Sequence, residues 1–152
     1  MPGGKVLFMM GCPEIPIQTS IALYLSHKLT NLGFTVTVAG TDAATKLLKV
    51  SDSDGYYVKN LVNLDKILED VIEKRIYFDI CFAFMHNDAG MTYASTMSAI
   101  SQAKIYSIVF GRNAEALSET IEFNCEKIVV NDVHNPSRLK NKLDKVMEDI
   151  VK

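Results

Sequence analysis

The sequence predicts an α/β protein, a three-layer α/β/α sandwich around a mainly parallel five-stranded sheet. Two observations carry that expectation. Five runs of strand length are almost wholly apolar or β-branched, and each is followed by a segment with helical spacing or helix-capping residues. Strands that are apolar on both sides need cover on both faces, and a parallel neighbour is reached only through a right-handed crossover of helix length. The 152 residues suit one domain, 1–152, that buries about two thirds of the surface its unfolded chain exposes.

The elements follow in order. "KVLFMMG" is a continuous apolar run, and in "PIQTSIALYLSHKLTNLG" the residues Ile17, Ile21, Leu25 and Leu29 recur at every fourth position until Gly33 supplies a stop. "FTVTVAG" is β-branched and predicts a second strand; Thr41 or Asp42 then caps a short helix through Val50. "SDSDGYYVKN" reads as a loop. Leu64, Ile67, Leu68, Val71 and Ile72 form a helical stripe, after which "FDICFAFM" is the third strand. "NDAGMTYASTMSAISQA" reads as a helix capped by Asn87 or Asp88, followed by "KIYSIVFG" as the fourth strand. A short helix through "NAEALSETIEF" with Asn113 at its cap, the strand "EKIVVN" and a last amphipathic helix from Pro136 complete the chain.

Two strand orders satisfy this pattern. In a flavodoxin-like order, 2-1-3-4-5, the order reverses between the first and third strands, and the ligand crevice lies where "GCPEIP" and "MHNDAG" leave the sheet. Cys12, Glu14, His86, Asn87 and Asp88 would then converge. In a Rossmann-like order, 3-2-1-4-5, the partner of "GCPEIP" is "GRNAE", which brings Arg112 and Asn113 instead.

Each candidate residue has a chemical and a packing explanation. Pro13 and Pro16 stiffen the opening turn, and a proline in the first helical turn loses no needed hydrogen bond. Cys12 lies beside the positive end of a helix, which favours a thiolate, but free cysteines are also commonly buried. Glu14 is a carboxylate that the same helix dipole stabilises. His86 stands where α/β sheets place ligand groups, whereas "HND" also reads as a helix-entry turn. Arg112 suits a carboxylate or phosphate, or pairs with Glu115. His134 lies in "NDVHNP", just before the last helix. Cys81 and Cys125 read as packing residues, and His27 as a solvated residue on the first helix.

Other chemistries are not encoded in linear spacing. The opening turn has one glycine where a dinucleotide loop needs three, and it has no GK[ST] ending. No metal-ligand spacing is present; a metal site would need His86 and His134 to meet Cys12 or Glu14 across the sheet edge. No cofactor is identified. A net charge of −2 argues against nucleic acid as a partner. No apolar stretch approaches the roughly 18 residues of a membrane span, and "MPGGKVLFMMG" lacks a signal-peptide pattern, so a cytoplasmic protein is expected. Three widely spaced cysteines suit a reducing compartment. Tyr56 and Tyr57, in the loop, can wall a pocket or an interface, and a homodimer is the expected assembly.

Together, "GCPEIPIQ", "ALYLSHKLTNLGFTVTV", "NDA" after the third strand and "HNP" before the last helix resemble a family of methanogenic archaea catalogued as a conserved domain of unknown function. The resemblance spans essentially the whole chain. It implies a three-layer α/β/α domain in an anaerobic cytoplasm and transfers no catalytic residue. The proline-containing turn and "GFTVTV" are more distantly similar to DsrE-type sulfur-relay proteins, whose persulfide cysteine Cys12 matches poorly. Three functions therefore stand: a small-molecule or cofactor-binding protein of methanogen metabolism, a persulfide carrier using Cys12, and a non-catalytic interaction module.

Overall fold

The computed structural model describes residues 3–152. Six strands, β1 (Lys5–Met10), β2 (Thr35–Gly40), β3 (Asn60–Asn63), β4 (Ile80–Met85), β5 (Lys104–Val109) and β6 (Glu126–Val129), alternate with six helices. The helices are α1 (Ile17–Asn31), α2 (Asp42–Ser51), α3 (Leu64–Ile72), α4 (Asp88–Ile100), α5 (Ala114–Glu119) and α6 (Ser137–Ile150). Every strand pair is parallel, and the order across the sheet is β3-β2-β1-β4-β5-β6.

The strand count corrects the expected five. The additional strand, β3, has four residues, begins and ends on asparagine and is buried only in part, so it shows neither an apolar run nor alternation. It pairs outside β2, placing Val38 opposite Leu61 and Gly40 opposite Asn63. The five expected strands keep the order 2-1-3-4-5 among themselves, and the edge strand converts the whole into the doubly wound order 3-2-1-4-5-6.

Alternation along the strands sorts the core into two layers. In β1, Val6, Phe8 and Met10 face α1, α2 and α6, whereas Leu7 and Met9 face α3, α4 and α5. Ile17, Ile21, Leu25 and Leu29 of α1 are each no more than 1% exposed, as their spacing predicts. Of the α3 stripe, Leu64, Ile67, Leu68 and Val71 are buried, but Ile72 is not. Burial of the four α1 side chains supplies roughly 6–12 kcal/mol of transfer free energy, before conformational entropy is set against it.

Helix ends follow local chemistry. Thr41 caps α2, Asn63 caps α3 and Asn87 caps α4, each accepting a backbone N–H in the first turn. Gly33 ends α1 at φ 94°, a conformation that L side chains rarely adopt. Asn113 makes no side-chain cap bond to α5, contrary to expectation; the turn is closed instead by Ala114 N–H donating to the Gly111 carbonyl. α4 also stops at Ile100, short of the expected Ala103, because Ser101 is extended.

Candidate functional site

Parallel strands leave their loops at one edge, and the order reverses beside β1, where β2 and β4 continue in opposite directions. At that carboxyl edge an open groove of about 560 Å³ lies among the loops after β1, β4, β5 and β6. Its volume is in the range of small-molecule sites. Glu14, His86, Asn87, Arg112 and His134 line it, together with Ile15, Pro16, Gly111, Asn113 and Val133. Thus it joins residues that the two strand orders assigned to different crevices. Cys12 and Asp88 are exposed nearby in sequence but are not in its wall.

The floor is tightly knit. Phe110 N–H donates to the Met85 carbonyl at 3.1 Å, and Gly111 N–H donates to the Asp132 carbonyl at 3.0 Å, fastening three loops in sequence across the edge. Gly111 has φ 93°, which requires glycine, and the position of its absent Cβ would lie 3.7 Å from both His86 Cβ and Ile15 Cδ1. His86 therefore stands directly above this turn. Its ring packs against Phe110 with centroids 5.6 Å apart, and its side chain is only 8% exposed.

The polar lining is mostly donors. His86 Nε2 lies 3.6 Å from Glu14 Oε2, an ion-pair distance when the imidazole is protonated and longer than a hydrogen bond. Asn87 Oδ1 accepts the Gly90 N–H at 3.2 Å, while its Nδ2 lies 3.5 Å from His86 Nε2. Arg112 is exposed and makes no ion pair among the described residues; Glu115, its alternative partner, accepts from Asn131 Nδ2 instead. Arg75 and Arg138, by contrast, are both salt-bridged.

The wall that carries His134 is held by charge. Arg138 donates to Asp132 through Nε at 2.9 Å and Nη2 at 2.8 Å, and these bonds keep the Asp132 carboxyl below its ordinary pKa against an opposing desolvation. Val133, in the same loop, accepts the Ile17 N–H at 3.2 Å.

That last contact bears on phosphate binding. In doubly wound sheets a nucleotide pyrophosphate commonly rests on free N–H groups at the start of the first helix. Here Pro16 has no N–H, Ile17 donates to Val133 and Gln18 donates to the Ile15 carbonyl. Three of the positions that open α1 therefore offer no free N–H to that use.

Gln18 itself was not legible as a core residue. It is 1% exposed, and its Nε2 donates to the Gly11 carbonyl at 3.1 Å, tying the opening turn to α1. The available signal was its four-residue spacing to Ala22, which is also fully buried. Cys81 is buried, as expected of a packing residue, and its thiol is pushed up to about 12 by desolvation; Cys125 is half-buried, and Cys12, which the sequence leaves open between a reactive and a packed thiol, is exposed. His27 is not simply solvated; it is half-buried, packs against Tyr56 and Tyr57 and shares a 3.2 Å contact with Asn31 Nδ2.

A larger cavity, about 760 Å³, lies at the opposite edge among Lys74, Arg75, Tyr77, Asp79 and Gln102. It is away from the order reversal and from both groove histidines. Among the described residues no group of three or more His, Cys, Asp or Glu is placed to hold a metal ion. No helix among them is long and apolar enough to cross a membrane.

Residues 7–146 match the family model described as a domain of unknown function, DUF1890. The chain belongs to the DUF1890 family. It is 34% identical over 152 residues to the uncharacterized protein MJ0452 of Methanocaldococcus jannaschii, covering 96% of this chain and 99% of that protein. The solved structure titled "Structure of MT0777" is 35% identical, covers 95% of this chain and 97% of its own, and superposes with a TM-score of 0.87. The family and the α/β fold are those that the sequence resemblance implies.

Proposed function

We propose that this DUF1890 protein binds a small molecule or cofactor at the carboxyl edge of its sheet, in the metabolism of methanogens. The observation that carries the reading is the groove at the order reversal, where four loops present Glu14, His86, Asn87, Arg112 and His134 to one space. Arg112 is exposed there with no acidic partner among the described residues, which leaves its guanidinium open to a ligand entering from solvent. No nucleophile, base and oxyanion arrangement accompanies them, so binding is proposed and a reaction is not. Soaking crystals with a chemically diverse set of small molecules tests it. Density in the groove is expected; density confined to the opposite-edge cavity, with the groove empty throughout, overturns the reading.

The exposure of Cys12 favours a second reading, persulfide carriage. Incubation with a sulfane-sulfur donor such as an organic persulfide, whose outer sulfur passes to the thiol while the donor leaves as its own thiol, would then add about 32 Da, one sulfur atom, to the intact protein and not to Cys12→Ser. No adduct, or one that survives the substitution, removes this alternative.

A further inference from the structure

We infer that the groove receives the acid group of its ligand, a carboxylate or phosphate, on Arg112 with the imidazoles of His86 and His134 beside it. The inference rests on the binding reading above and adds the chemical class.

The hydrogen-bonding balance of the lining supports it. Arg112 offers five N–H donors and no acceptor, and no acid among the described residues engages it. Asn87 has its oxygen occupied by Gly90 and its NH₂ within 3.5 Å of His86 Nε2, so at most one N–H of that group remains for a ligand. Asn113 has no cap bond to make. Glu14 is the only carboxylate in the wall, and its Oε2 faces His86. A planar or tetrahedral anion matches the exposed fork of Arg112, which a cationic ligand would repel.

The start of α1 bears on the class. Pro16 has no N–H, and Ile17 and Gln18 have already committed theirs, so the positions that open the helix are poorly placed to cradle a pyrophosphate. The guanidinium of Arg112 is the cationic group that the groove offers instead. This arrangement suits a compact acid better than a dinucleotide.

The test follows the imidazole C–H resonances of His86 and His134 by NMR while inorganic phosphate or succinate is added at ionic strength fixed with sodium chloride. Saturable shifts are expected with at least one of the two, and which one saturates distinguishes phosphate from carboxylate. Arg112→Gln should weaken that binding by about tenfold or more, Arg112→Lys by less, and Arg75→Gln at the opposite edge not at all. Equal affinity in wild type and Arg112→Gln overturns the inference. Benzamide and glycerol serve as uncharged probes: shifts with these and none with either anion overturn the acid-group assignment but keep the groove as a binding site. Silence with every probe overturns both.

Discussion

His86 Nε2 stands 3.6 Å from Glu14 Oε2, linking the end of β4 to the turn after β1, yet the two side chains are unequally buried, at 8% and 64% exposure. The asymmetry assigns different roles. An exposed carboxylate that faces water gains little from one distant partner, whereas a ring packed on Phe110 contributes contact area whatever its charge. Glu14→Gln is expected to shift stability by less than about 0.5 kcal/mol. His86→Ala should cost about 1–3 kcal/mol. Urea unfolding of the two variants checks this, and equal losses would show that the pair, rather than the ring packing, supports the edge.

The Asp132 to Arg138 clamp predicts a pH dependence for the loop that carries His134. Hydrogen bonding to Arg138 lowers the folded pKa of Asp132 from the ordinary 3.8, so its stabilising contribution is present above that value and is lost as pH falls through the lowered one. Arg138 rises correspondingly through the same bonds. Asp132→Asn near neutral pH should therefore raise amide exchange over 131–136, and wild-type protection should move toward that of the variant as pH falls below 3.8 through the lowered pKa, once intrinsic rates are removed. Unchanged protection in the variant would mean that the Gly111 and Ile17 backbone bonds hold the loop alone.

How much of this was legible depends on which interactions are local. The α1 stripe, the Thr41 and Asn87 caps and the five apolar strands are set by residues a few positions apart, so sequence periodicity displays them. β3 is defined only by its neighbour β2, and its four residues carry no pattern of their own. The groove is a property of strand order. Glu14 meets His86 across 72 positions of sequence, and Val133 accepts the Ile17 N–H from still farther along the chain. Chemistry-bearing residue types at strand ends were readable; which ends would adjoin was not.

Gly90 shows the same limit and gives a sharp prediction. A Cβ built there would lie 2.8 Å from Met85 Cβ and 3.0 Å from Met85 Cα, so α4 rests on the end of β4 too closely for any side chain. Alanine gains about 1 kcal/mol of helix propensity, yet the clash is with a strand that cannot move freely. Gly90→Ala should lose about 1–3 kcal/mol in net stability. It should also displace the Asn87 cap and hence the His86 resonances. A gain in stability on denaturant unfolding would refute the close approach.

Cys81 couples the core to alkaline pH. Desolvation raises its thiol from 9.0 to about 12 in the folded protein, so the folded state retains a proton that the unfolded chain releases above about 9. The sign is then fixed: this contribution is fully present below 9 and falls by about 1.4 kcal/mol per pH unit as pH rises toward the folded value. Cys81→Ala should be less stable at neutral pH through a lost buried sulfur, but its stability should decline less steeply over that alkaline window. Thiol labelling separates the sites independently. Iodoacetamide under native conditions is expected to modify exposed Cys12 first, half-buried Cys125 slowly and Cys81 only after unfolding. Native labelling of Cys81 at the rate of Cys12 would show that the layer between β4 and α4 opens far more often than its packing implies, and the alkaline slope should then disappear with it.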